Sequence, residues 1–244
     1  VGPNNAFPLN PLPIPAPGRW RAIDFEYEEL GFFATDTIKF SEQWSAMLGG
    51  RYGKYDNTYP TDPASNDSVS DWSPTVALMY APVQGVHTYL TYTTGLQDGG
   101  FARRGAANAF APLGVQESEQ IEFGVKTEWC DGRFSGELAV FQIEQDLALL
   151  DPFTNVESFG GLQRHRGIEL ALRGKLTEHW QAGIATMLLD AEQVDTGNLA
   201  TNGLTPQYVP EYQVNVFSVL DIPWIPGLAL TANARFVDKQ YLDQ

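Results

Sequence analysis

The chain has 244 residues and a formal net charge of −15, and its 15 Lys and Arg residues are too few to neutralise a nucleic-acid backbone. Charged residues are 18% and aromatics 12%, with 23 Gly and 16 Pro, a mixture that suits many strands and turns. A single cysteine, Cys130, excludes an intramolecular disulfide or a cysteine-rich zinc site, and no run of about eighteen apolar residues offers a transmembrane helix. A membrane-spanning β-barrel remains open, because every second residue of its strands is polar and mean hydropathy stays modest. The first residues also lack the charged, apolar, then small-residue order of a signal peptide.

Residues 1–27 are Pro-rich and are expected to form a loop or linker, with one β domain over 28–244. The first hairpin is predicted from Leu30 to Phe40 and Trp44 to Tyr55, around a Ser41 to Gln43 turn. A polar stretch, Asp56 to Asp71, reads as a loop. The second hairpin pairs Trp72 to Val83 with Val86 to Leu96 across Gln84 and Gly85, and the loop Gln97 to Gly114 follows. The third pairs Glu117 to Trp129 with Phe134 to Asp146, and the fourth Gly161 to Leu176 with Trp180 to Glu192. The fifth joins Pro210 to Ile222 with Gly227 to Asp238 through a Pro-Trp-Ile-Pro-Gly turn.

Short turns therefore alternate with long loops, which predicts an antiparallel up-and-down meander with the turns on one rim and the loops on the other. The strands alternate: Ile121, Phe123, Val125 and Trp129 oppose Glu122, Lys126 and Glu128, and Ile168, Leu170, Leu172 and Leu176 oppose Glu169, Arg173 and Lys175. A soluble β-sandwich would show the same alternation with its apolar faces turned inward. Two features favour a barrel. Aromatics (Phe40, Trp44, Trp129, Phe134, Trp180 and Trp224) sit beside the short turns, as in an interfacial girdle. Charges of both signs (Arg51, Lys126, Glu137, Arg173 and Arg235) share the non-apolar face, as in a wet lumen.

The segments Glu-Phe-Gly-Val-Lys (122–126), Asp-Gly-Arg-Phe-Ser-Gly-Glu-Leu-Ala-Val-Phe (131–141), Arg-Gly-Ile-Glu-Leu-Ala-Leu-Arg-Gly (166–174) and Leu-Leu-Asp-Ala-Glu (188–192) stand in the order and spacing of one known family. From Glu28 to Asp243 the chain resembles the barrel of TonB-dependent outer-membrane receptors, the siderophore-receptor group in particular. The resemblance implies an all-β, antiparallel, up-and-down transmembrane barrel of about 22 strands, of which this chain holds roughly ten, from an internal stretch and without the plug domain. It further implies a bacterial outer-membrane location, no catalysis and no cofactor. The implied partners are a ferric siderophore or similar chelate, the TonB complex acting through a plug, and outer-membrane lipid. Two alternatives stand beside it: a soluble β-sandwich binding module, and a self-closed ten-stranded barrel, porin-like or a protease.

In such a family, arginines and aromatics at the external mouth are expected ligand contacts. Arg103 and Arg104, with Phe101 and Phe110, lie in the expected long loop, and Arg164 and His165 form a second basic cluster with Arg166. The competing reading of that second cluster is scaffold, with its arginines paired to lumen carboxylates. His87 is expected to face the lumen and His179 to occupy a turn, neither in a catalytic pattern. Asp62, Asp67, Asp71, Glu117 and Glu119 lack the spacing of a calcium loop, and no metal site is expected. Glu144 and Asp146 have no complementary cleft residue that would make them an acid and base pair.

Overall fold

The computed structural model describes residues 26–59 and 66–241. The expected linker over residues 1–27 lies almost wholly outside the described residues, as does Asp62. Ten strands form one antiparallel sheet in sequence order: β1 (Glu26–Lys39), β2 (Trp44–Thr58), β3 (Asp67–Val83), β4 (Val86–Asp98), β5 (Val115–Trp129), β6 (Phe134–Leu150), β7 (Glu157–Lys175), β8 (Trp180–Val194), β9 (Tyr212–Asp221) and β10 (Ala229–Val237). All five predicted hairpins are present. The sheet is single, which removes the sandwich. β1 and β10 are its two edges and do not pair with each other, which removes the self-closed ten-stranded barrel.

The strands pack substantially only on their sequence neighbours, so the fold is a wall one layer thick. Its stability cannot come from a buried apolar core. Among the described residues the few buried apolar side chains are Tyr, Ala and Pro, including Ala77, Ala139, Ala191 and Pro206, while Leu30, Phe32, Leu48, Leu90, Phe123, Leu138, Ile168 and Leu188 are all exposed. So much exposed apolar surface on one face is stable only if a second apolar phase covers it. The short turns are held by local chemistry. Residues Cys130, Asp131 and Gly132 take positive φ (54°, 56° and 76°), and Arg133 Nε donates to the Lys175 carbonyl at 2.7 Å, stitching this turn to the next hairpin.

Register shows how the wall tilts. A row of paired residues starts at Trp44, beside the first short turn, and runs through Tyr80, Thr88, Val125, Leu138, Leu170 and Thr186 to Val214. Val214 lies well inside β9, whose short-turn end is Asp221. Each row therefore climbs away from the short-turn rim as it crosses the sheet, the stagger that barrel strands require.

The strands run further towards the long-loop side than their composition suggests. β6 continues through Ala148, Leu149 and Leu150 past a register shift at Leu147, and β7 begins at Glu157, leaving the connection only residues 151–156. Asp151 builds that turn by accepting the N–H groups of Phe153 and Thr154 at 2.8 and 2.9 Å. These bonds, the Thr154 amide first, hold its carboxyl below the usual carboxylate range.

β3 likewise begins at Asp67 and contains Pro74, which pairs in register with Gly50 of β2. Ala81 N–H donates to the Gln43 carbonyl on the β2 side, so period two turns the backbone of Pro74 towards β4. The β3–β4 ladder stops there, with Thr75 opposite Thr93 as its last pair, because proline has no N–H to donate. Beyond that point side chains take over. Asp71 Oδ1 accepts the Trp72 N–H at 2.7 Å, and the Tyr55 hydroxyl donates to the Leu96 carbonyl at 3.1 Å.

Candidate binding site and lumen

The two faces follow from the pairing. Phe123, Val125 and Trp129 pair with Val140, Leu138 and Phe134, all on the convex face, and Lys126 pairs with Glu137 on the concave face. Around Tyr89 the concave face forms a connected polar network. Its hydroxyl donates to Glu122 Oε1 at 2.7 Å, Gln120 Nε2 donates to Glu122 Oε2 at 2.8 Å, and Lys126 Nζ lies 2.7 Å from Glu137 Oε1 and 5.3 Å from the Tyr89 ring centre. Gly124 makes this arrangement possible, because any Cβ there would collide with the Tyr89 ring.

Arg51 pairs with Glu29, Arg173 Nε donates to Ser135 Oγ at 2.9 Å, and Arg235 donates to Gln213 at 2.9 Å. Each of the charges expected on the lumen face is therefore there, with a polar partner close by. Two hollows open on this face, one of about 610 Å³ near Lys126, Glu137, Arg173, Asn215 and Arg235, and one of about 1040 Å³ near Met47, Met79, His87 and Tyr89. His87 faces the lumen side as expected, and His179 occupies the β7–β8 turn.

At the long-loop rim, the segment between β4 and β5 is tied to the start of β7. Glu157, only 5% exposed, receives Arg103 Nε at 2.7 Å and also the Arg103 backbone N–H. Asn108 brackets the same residue, its Nδ2 donating to the Glu157 carbonyl at 2.8 Å and its Oδ1 accepting the Glu157 N–H at 2.9 Å. Asn155 Nδ2 adds a bond to the Gly105 carbonyl at 2.9 Å. A guanidinium and two side-chain amides thus fix a loop that has little apolar burial.

The tie divides the candidate residues. Arg103 spends its Nε on the scaffold, while Arg104 is exposed and forms no ion pair among the described residues. Phe101 is 40% exposed and packs edge-on against Tyr59, with ring centres 5.9 Å apart. Phe110 is 59% exposed and held at φ 65°, a conformation uncommon for a bulky residue. Phe153 (96% exposed) and Tyr208 (61%, φ 61°) are further bare aromatics in neighbouring loops. Glu157, Asn108 and Asn155 were not singled out in the sequence, because nothing local marks a contact between residues this far apart.

Arg164 and His165 lie inside β7, not in a loop, and adjacent residues of a strand face opposite ways. Arg164 and Arg166 pair with Glu144 and Gln142 in the same alternating set as Ile168 opposite Val140, which places both on the convex face. His165 turns to the concave face. Arg164 Nε lies 2.7 Å from Glu144 Oε1 and its Nη1 3.4 Å from Glu192 Oε1. The arginines are therefore paired to carboxylates as the scaffold reading expects, but to carboxylates on the outside of the wall and not in the lumen.

A family profile described as TonB dependent receptor-like, beta-barrel, matches residues 2–244. The chain is 29% identical over 225 residues to the ferrichrome receptor FcuA of Yersinia enterocolitica, covering 88% of this chain and 29% of that protein. It is 25% identical over 246 residues to the metal-pseudopaline receptor CntO of Pseudomonas aeruginosa, covering 96% of this chain and 34% of that protein. Among solved structures, the ferric preacinetobactin receptor BauA of Acinetobacter baumannii superposes with a TM-score of 0.73 at 28% identity, over 90% of this chain and 33% of that one. The chain thus spans about a third of the length of these relatives. With a one-layer wall, an apolar outside, a polar inside and a profile match along nearly its whole length, the chain belongs to the TonB-dependent receptor β-barrel family of the bacterial outer membrane.

Proposed function

We propose that the chain supplies a wall and part of the external mouth of a receptor that takes up a ferric siderophore or a similar nutrient chelate. Import draws on inner-membrane energy relayed by the TonB complex through a plug, a domain that none of the ten strands forms. The chemistry is binding and gated passage, with no covalent step. The observation that carries this reading is the sidedness of the wall: carboxylates and cations pair along the concave face while the alternate residues present bare hydrocarbon. Relatives named as receptors for ferrichrome, ferrioxamine B and metal-pseudopaline support the cargo class.

At the mouth, Arg104, Phe101 and Phe110 contact the chelate, Arg103 positions their loop through Glu157, and His165 meets cargo on the lumen side. Arg164 belongs to the outer wall. The test is uptake of radiolabelled iron by cells carrying the full-length receptor, with a panel of ferric hydroxamate and other chelates and a strain lacking TonB as control. TonB-dependent uptake of at least one chelate is expected, with Arg104→Ala raising its Kd about tenfold. Binding and uptake that ignore Arg104, Phe101 and Phe110 alike would remove the mouth assignment, and uptake independent of TonB would remove the mechanism.

A further inference from the structure

The outward face of β1 is apolar with one interruption. Leu30, Phe32, Ala34, Asp36 and Ile38 share that face, since Asp36 pairs with Leu48 of β2, which alternates in step with Trp44 of the convex row. Asp36 stands four residues from Phe40 of the aromatic girdle, roughly 10 Å into the hydrocarbon at the rise and tilt of a barrel strand. On other strands the outward ionisable side chains begin much higher: Lys54, Glu119, Arg166 and Asp190 lie ten residues from Trp44, Trp129, Leu176 and Trp180 at the short-turn rim. Among the described residues, Asp36 is thus the one outward ionisable group at hydrocarbon depth.

Other polar groups at this depth are satisfied within the wall. Thr88, Thr127 and Thr186 donate to the carbonyls of Tyr80, Gly136 and Gln213 at 3.2, 3.3 and 3.1 Å, and Trp180 Nε1 donates to Ser218 Oγ at 2.9 Å. Asp36 forms no hydrogen bond or ion pair among the described residues. Its neighbours on the same face are Ala34 and Ile38 along β1 and Leu48, Ala46 and Gly50 on β2, none with a side-chain donor. An unpaired charge at this depth is strongly destabilising. The side that remains is the free edge of β1. In hydrocarbon that edge must itself be paired, because its N–H and C=O groups find no water there. The chain is about a third of the length of its relatives, so a strand from elsewhere in the receptor is available to close it.

We propose that the strand adjoining the free edge of β1 carries an arginine or lysine on its outward face opposite Asp36, and that the two form an ion pair under the lipid that fixes the strand's register. Apolar rows tolerate a slip of two residues, because hydrocarbon then meets hydrocarbon. A single charged pair does not: a slip of one turns the cation into the lumen, and a slip of two sets it beside Ala34 or Ile38 with Asp36 bare. The small side chains of Ala34 and Ala46, with Gly50, leave room for a long cationic stem to lie along the wall. The inference rests on the outer-membrane placement of the wall and is independent of which chelate is transported.

The test uses the full-length receptor in liposomes, in a Cys130→Ser background. Ala34→Cys is combined with a cysteine at each outward residue of the adjoining strand in turn, and the pair that forms a disulfide under mild oxidation gives the register with Asp36 intact. In an antiparallel neighbour the residue facing Asp36 lies two positions before the one that captures residue 34. Arginine or lysine is expected there. Any other residue at that position, or a disulfide joining two copies of the receptor, would overturn the proposal. Urea unfolding supplies a second readout. Asp36→Leu is expected to raise the unfolded-to-folded ratio at fixed urea at least about tenfold by stranding the cation in lipid, and replacing that cation by leucine as well should recover most of the loss. Glu28→Leu, at the polar upper end of the same face, should change the ratio less than about twofold. A receptor made more stable by Asp36→Leu, no recovery in the double variant, or an equal loss in Glu28→Leu would each contradict the pair. Neither readout involves the chelate, so failure of the import reading is separately visible.

Discussion

Glu137 and Leu138 are adjacent in β6 and live in different solvents. Glu137 lies 2.7 Å from the Lys126 ammonium on the concave face, while Leu138 opposes Val125 and Leu170 on the convex face and is 47% exposed. The same comparison holds along the wall: polar side chains inside are organised by one another, and apolar side chains outside are organised by what surrounds them. A protein of one layer has no interior of its own to stabilise it, so its energetics divide by face. Strand ladders supply the hydrogen bonds on both, and lipid supplies the apolar phase for one.

The largest break in this symmetry should come from putting charge on the outside. Leu138→Arg in the full-length receptor is expected to cost about 2–4 kcal/mol near the bilayer midplane, measured by urea unfolding from liposomes. Arg173→Gln, on the inner face, should cost under about 1 kcal/mol, because its partner Ser135 stays neutral and solvated. Equal costs for the two would mean that the faces are not distinguished by solvent.

Gly124→Ala sharpens the inner face. The added methyl meets the Tyr89 ring and must displace it from Glu122, at a cost of about 1–3 kcal/mol that Tyr89→Leu should largely recover. A double-mutant cycle on urea midpoints measures the coupling. No recovery would place the strain elsewhere.

At the external rim, Glu157→Ala removes the acceptor for Arg103 and should free residues 99–114 at a local cost of about 1–3 kcal/mol, read as faster amide exchange there. Phe110→Gly relieves positive φ and is expected to stabilise the same loop by under about 1 kcal/mol while weakening chelate binding. The smallest effect concerns Asp151. Its folded pKa lies below its unfolded one, so its contribution is complete above the unfolded value and disappears as pH falls through the folded value. Amide exchange at Phe153 and Thr154 should accelerate, relative to its intrinsic rate, only on that acid side.

Much of the wall was legible in the sequence because a period of two is short-range information. The five hairpins, the girdle beside the short turns and the inward charges follow from alternation and turn residues alone. Where strands end was harder to read. The Asp67 to Asp71 stretch looks like loop, yet it belongs to β3, where β2 alone pairs the strand before Thr75 and an Asp71 carboxylate and a Tyr55 hydroxyl replace lost ladder bonds. The apolar run Ala148 to Leu150 continued β6 beyond its expected end.

The sites divide in the same way. Arg164 and Arg166 share the parity of Ile168 and Leu170, so counting back along β7 would have placed them outside, and their basic character drew attention to a lumen or loop role instead. The Arg103 to Glu157 tie has no local signature at all. It exists because the β4–β5 loop and the start of β7 are brought together by the sheet between them.

The most direct test of the account is an accessibility scan across β5. Single spin labels at residues 120, 121, 122, 123, 125 and 126 would be introduced in a Cys130→Ser background of the full-length receptor in liposomes, and their relaxation read with oxygen and with a water-soluble nickel chelate. Positions 121, 123 and 125 are predicted to favour oxygen and positions 120, 122 and 126 the nickel reagent, in strict alternation. Uniform preference for either reagent, or alternation of the opposite phase, would contradict a wall with lipid outside and a wet passage within.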